Sequence, residues 1–257
     1  MSRKNIERLE LNYAKGWRGQ SLEFLCGLTE LKSLKVLDWK IESIDSIHEL
    51  VSLEELQLTT GCNSPIEFDR FPRLESVALE WREGATSLFS QMNLRSVFIN
   101  EYSGADLDAF RDLANLRRLS LAGPKIDRIG SSTLEKLQGL EIKGAKRLSS
   151  LEGLEGYRSL ASLELNGCPR IADISALNSL EKLERLHLCD GGKIRSLAPL
   201  RGLPHLEEVL FYGSTVIEDG DLTPLVNRGL EKIAFQDRPS YSHRLAELES
   251  RKTPAER

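Results

Sequence analysis

The sequence predicts an α/β solenoid, with a curved parallel β-sheet on the concave side of a coil and short 3-10 or helical turns on its convex side. Three observations predict it. One phrase (apolar, two residues, apolar, one residue, apolar) recurs eleven times along the 257 residues. Successive copies start 19 to 28 residues apart. Between copies the apolar residues step by three, a spacing that fits tight helical turns and neither a strand nor a coiled coil. A unit this small cannot bury its own apolar face, so neighbours must stack with their strands edge to edge.

The copies begin with Ile6-Leu9-Leu11, Leu34-Leu37-Trp39 and Leu53-Leu56-Leu58. Leu74-Val77-Leu79, Leu94-Val97-Ile99, Leu116-Leu119-Leu121, Leu137-Leu140-Ile142 and Leu160-Leu163-Leu165 continue them, and Leu183-Leu186-Leu188, Leu206-Val209-Phe211 and Leu230-Ile233-Phe235 complete the series. The closing apolar-x-apolar step of two marks a strand with alternate side chains inward. The step of three is clearest in Ile171-Ile174-Leu177-Leu180-Leu183. The longest interval implies an insertion near Ala14–Arg18, with Trp17 expected to plug the first end of the coil. We expect residues 1–238 to form a solenoid of about eleven repeats and residues 239–257 a C-terminal cap and charged tail. Pro239 breaks the pattern there, Leu245 and Leu248 suit one face of a short helix, and Pro254 among charges ends it.

The stretches RIADISALNSLEKLERLHL and KIRSLAPLRGLPHLEEVLF resemble leucine-rich repeats of the internalin type and of the intracellular phosphatase-regulating family, and the resemblance spans about Ile6 to Phe235. It implies a leucine-rich repeat solenoid and a binding role, because such proteins serve unrelated pathways. The buried asparagine usual after the strand is missing. Its place holds Ala14, Gly61, Ala145, Cys168, Gly191 or Ser214, and Cys168 resembles the usual substitute. Glu42, Arg82, Tyr102, Pro124 and Arg238 fit that place poorly, so the middle turns are expected to be irregular.

The charge balance, 35 Lys+Arg against 39 Asp+Glu for a net charge of −4, offers no attraction for a phosphate backbone or an anionic membrane. The expected partner is another protein, not nucleic acid or membrane. No apolar stretch approaches the roughly 20 residues that span a bilayer and no signal-peptide core is visible, so the expected location is cytoplasmic. Cys26, Cys62, Cys168 and Cys189 form no C-x-x-C pair and suit free thiols. No phosphate-binding, dinucleotide, zinc-protease or nucleophile-elbow motif is found. His48, His187, His205 and His243 are scattered too widely for a metal site. Neighbouring carboxylates such as Glu54-Glu55 point to opposite faces of a strand, which spoils acid–base geometry. Cys189, between His187 and Asp190, suits an ordinary exposed thiol. No catalytic residue, metal or other cofactor is expected.

Residues that alternate with the inward leucines project onto the concave side. The strand phase places Asp38, Glu80, Phe98, Asn100, His187, Leu210 and Tyr212 there, with Trp81 and Tyr102 in the adjoining turns. These nine are the candidate partner-binding residues. Aromatic anchors concentrate interface energy, and Ser76, Ala78, Ser96, Ser120 and Ala122 keep the middle of the face shallow. Acidic and basic residues nearly cancel across it, and a shallow sheet cannot enclose a small ligand. The expected function is a non-enzymatic binding module that occludes a partner, resembling the way a ribonuclease-inhibitor horseshoe blocks an active site; an immunity protein would be one instance. The phosphatase-regulating resemblance implies the alternative, a scaffold or regulatory subunit. A secreted adhesin would need a leader and an anchor, and neither is visible.

Overall fold

The computed structural model describes residues 6–249. They fall into two compact units, one of residues up to 101 with 112–116 and one of residues 102–111 with those from 117 onward. The first unit carries five strands, β1 (Arg8–Asn12), β2 (Ser33–Asp38), β3 (Glu55–Thr60), β4 (Ser76–Glu80) and β5 (Ser96–Asn100), paired in parallel in chain order. The second begins with β6 (Arg118–Ala122), β7 (Gly139–Lys143), β8 (Ser162–Asn166) and β9 (Arg185–Cys189). After these come β10 (Lys193–Ile194), β11 (Glu208–Phe211), β12 (Val216–Ile217) and β13 (Lys232–Phe235). In that unit β6, β7, β8, β9, β11 and β13 form one parallel sheet, while β10 and β12 pair separately in a two-stranded ribbon. Each unit is a leucine-rich repeat solenoid, with strands on one side and 3-10 turns on the other.

The strand positions follow from the period of two. Leu163 and Leu165 of β8 and Leu186 and Leu188 of β9 are 3% exposed or less, while the residues between them face out. The period of three buries Ile171, Ile174, Leu177, Leu180 and Leu183 at 2% or less. Short polar side chains start the turns by accepting the backbone N–H two residues on. Asp173 accepts from Ser175 at 2.8 Å, Asp221 from Thr223 at 2.9 Å and Ser196 from Ala198 at 3.1 Å. An 8-residue 3-10 turn, Glu83–Ser90, lies among the middle repeats.

The second repeat departs from the expected phase. Register pairs Leu9 with Leu34 and Leu11 with Val36, so its inward phrase is Leu31-Leu34-Val36. Leu31, Leu34 and Val36 are fully buried, whereas Trp39 is 56% exposed. With Leu31 as the start, the first two intervals become 25 and 22 residues instead of 28 and 19. Asp38 moves with the phase: it pairs in register with Thr60, faces inward and is 5% exposed.

Two of the poorly fitting turn residues point into the core. Arg82 is buried and donates to the Thr60 hydroxyl (3.3 Å) and the Ser64 carbonyl (3.4 Å). Tyr102 packs its ring 5.3 Å from Phe110. Cys168 serves its turn as the resemblance implies, its thiol lying 3.7 Å from the Ile142 and Asn166 carbonyls. At the far end α1 (Leu245–Glu249) buries Leu248, and Phe211 and Phe235 stack at 4.9 Å with Tyr241 edge-on to both. The expected tail, including Pro254, lies outside the described residues.

Candidate functional site

The outward side chains of each sheet make an open face, best described unit by unit. In the first, Phe98 stands on β5 between the inward Val97 and Ile99, beside Ala78 of β4. Because alanine and the serines 76 and 96 are too short to cover it, the ring stays 39% exposed. Glu80 and Asn100 pair across the same strands, the Asn100 amide donating to Glu80 Oε2 at 2.7 Å. Trp81 follows directly, its backbone N–H donating to the Asn100 carbonyl at 2.9 Å and its half-buried ring 5.7 Å from Phe89. Phe98, Glu80, Asn100 and Trp81 thus form one cluster.

In the second unit the face is a chain of charges. His187 Nε2 lies 2.9 Å from Glu208 Oε1 and its Nδ1 3.9 Å from Glu164 Oε2. Lys232 reaches the same Glu208 oxygen at 2.7 Å, and Lys143 bonds Glu141. Partial burial would raise the Glu208 pKa, but the bonds from Lys232 and His187 outweigh it and hold the carboxyl below its ordinary value. In the first unit Lys35 and Ser33 lower Glu55 likewise. Carboxylates depressed in the folded state contribute stability that is full above their unfolded pKa and is lost as pH falls through the folded one. Thermal midpoints should therefore drop as the solution is acidified below about pH 4.3. Glu208→Gln should flatten part of that drop, which melts at a series of pH values would show.

Tyr212 leaves β11 with its ring 46% exposed. The neighbouring Cys189 thiol raises its phenol pKa. Burial pushes the Cys189 thiol up, against the opposing pull of Tyr212. Cys189 is only 3% exposed, so the expected exposed thiol is instead a core residue with its nucleophilic form disfavoured. All four cysteines are free, and among the described residues no three His, Cys, Asp or Glu side chains are grouped to hold a metal.

Three of the nine candidate positions do not present a free surface. Asp38 faces inward because of the phase shift, and its carboxylate accepts the Lys40 N–H at 3.0 Å. Lys35 takes its outward place, paired with Glu55 at 2.8 Å. Tyr102 is 3% exposed, and burial, aided by Asp106 and Asp108, pushes its phenol up to about 12. Leu210 holds the expected row between His187 and Ala234 but is covered to 8% exposure. A Cβ on Gly104 would lie 2.2 Å from the Tyr102 hydroxyl, and one on Gly19 would lie 2.2 Å from the Trp17 ring. In both places the ring folds back over the bare backbone of the glycine two residues on. Trp17 accordingly stays half-buried, packed 5.6 Å from Phe24.

The fold and face place the chain among leucine-rich repeat proteins in architecture. No protein-family model and no curated protein matches its sequence. Solved structures do match. A leucine-rich repeat protein of Leptospira interrogans is 15% identical with a TM-score of 0.66, over 96% of this chain and 70% of that one. The functional domain of InlJ from Listeria monocytogenes is 13% identical with a TM-score of 0.58, over 84% of this chain and 49% of that one. Internalin C2 of Listeria monocytogenes is 20% identical with a TM-score of 0.50, over 80% of each chain. The likeness at these identities is one of fold. No helix among the described residues is long and apolar enough to cross a membrane.

Proposed function

We propose that this protein is a non-enzymatic, cytoplasmic binding module that holds a partner protein on the open sheet faces of its units and occludes it, as an inhibitor or immunity protein does. The observation that carries this reading is the exposure of Phe98 (39%) and Tyr212 (46%) beside small or ion-paired residues. Large rings held on a rigid sheet supply contact area at low conformational cost, and such residues dominate interface energies. The charges around them are matched, Lys143 with Glu141 and Lys232 with Glu208, which leaves no basic stripe to track a nucleic acid. The partner is a protein, with no metal or other cofactor involved.

The test is a pull-down from native cytosol with wild type and the Phe98→Ala, Tyr212→Ala double variant side by side. One stoichiometric protein retained by wild type, and bound at least about 30-fold more weakly by the variant, is the expected result. Assay of that protein then separates occlusion, which abolishes its activity, from a scaffold, which leaves it active. Equal retention by both forms would refute the role of the open face.

A further inference from the structure

We propose a second binding site in the first unit, a groove lined by Tyr13, Trp17, Arg18, Trp39 and Lys40 that takes an extended peptide segment presenting an aromatic side chain next to a carboxylate. Tyr13 directly follows β1 and Trp39 directly follows β2, and these strands pair through Asn12 and Leu37. Both rings therefore leave the same edge of the sheet, 48% and 56% exposed. Between them and Trp17 lies a groove of about 440 Å³. That is room for one aromatic side chain and the backbone that carries it. The exposed rings leave the groove open along its length, which suits an extended chain better than an enclosed small molecule.

The walls are built in advance. Asn12 Oδ1 accepts the Ala14 backbone N–H at 2.9 Å, and the Trp17 backbone N–H donates to the Asn12 carbonyl at 3.1 Å. Arg18 Nη1 donates to the carbonyls of Tyr13 (2.6 Å) and Trp17 (2.7 Å). Gly16 closes the turn at φ 98°, and the bare backbone of Gly19 seats the Trp17 ring. A loop tied down in this way loses little conformational freedom when a ligand arrives.

Charge selects the occupant. Lys15, Lys32 and Lys35 in the same repeats are each paired with a glutamate, at 2.6, 3.2 and 2.8 Å. Arg18 and Lys40 have no carboxylate partner among the described residues, and both line the groove. Its one carboxylate, Asp38, is buried and engaged by the Lys40 N–H. Three aromatic rings flanked by two cations without counter-charge complement an aromatic side chain beside Asp or Glu. The site does not involve Phe98 or Tyr212, so it stands or falls separately from the open-face reading.

Two of the three tryptophans line the groove, so intrinsic fluorescence reports its occupancy directly. The probes are blocked pentapeptides Gly-Glu-Phe-Glu-Gly, Gly-Lys-Phe-Lys-Gly and Gly-Glu-Ala-Glu-Gly, with 3-phenylpropanoate as the free aromatic acid, each titrated to about 5 mM. The acidic phenylalanine peptide should saturate the signal and the other probes should bind roughly tenfold more weakly or less. Trp39→Ala should abolish saturation and Lys40→Glu should reverse the preference between the two phenylalanine peptides, both with unchanged melting temperatures because these side chains are exposed. The Phe98→Ala, Tyr212→Ala variant should titrate as wild type. Equal binding of the three peptides, no saturation by any, or an unaffected Trp39→Ala protein would overturn the proposal. So would 3-phenylpropanoate binding as tightly as the peptide, or self-association of wild type that Trp39→Ala removes.

Discussion

Replacing Phe211 by alanine should lower the free energy of unfolding by roughly 3–5 kcal/mol, measured by urea denaturation. Phe211 is 1% exposed, stacks on Phe235 with an interplanar angle of 2° and meets the edge of Tyr241. Those partners close the last strands of the second unit. Truncation there opens a cavity and removes ring contacts worth about 0.5–1.5 kcal/mol per pair beyond area burial. Coupling between repeats is nearest-neighbour, so the loss should appear first as weaker hydrogen-exchange protection in β11 and β13. Phe98→Ala, by contrast, should cost about 1 kcal/mol or less, because its ring leaves partly solvated surface behind. Equal destabilisation by the two substitutions would show that Phe98 belongs to the core.

Gly153→Ala should be nearly as damaging, at roughly 2–4 kcal/mol. Gly153 sits at φ 103° before the turn Leu154–Gly156, and a Cβ there would lie 1.7 Å from the Gly130 carbonyl oxygen. The substitution thus adds a backbone collision to an unfavourable dihedral, and relieving it must push successive repeats apart. Gly144 is the matched control, with φ 72° but no atom closer than 3.8 Å to the added carbon. Gly144→Ala should cost only the dihedral term, about 1–2 kcal/mol. Thermal melts of the two variants should separate them clearly, and coincident melts would refute the role of the close approach.

The strands and their inward residues were legible because burial on a pleated backbone enforces a period of two over a run that ends at a turn. Leu163, Leu186 and Val209 lie where the phrase puts them, and they pair in register across β8, β9 and β11. The second repeat misled because it carries two overlapping phrases, Leu31-Leu34-Val36 and Leu34-Leu37-Trp39, each chemically acceptable. Pairing with β1 selected the first, which turned Asp38 inward and set Trp39 on the surface. The candidate site divides along the same line. Phe98, Glu80, Asn100 and His187 lie within strands and were placed by phase. Tyr102 lies in a turn, where one torsion decides between solvent and core, and the space above Gly104 drew it in.

By itself the sequence determined the solenoid, its strand-and-turn repeat and most of the open face, because these follow from a backbone period that every residue in a strand must obey. Tertiary structure alone decided which aromatic side chains at the strand exits are anchors and which are core. It also gathered Tyr13, Trp17 and Trp39, up to 26 residues apart, into one groove. The reason is physical. A turn of variable length leaves the direction of each side chain open until the neighbouring repeat either fills the space beside it or leaves it to solvent.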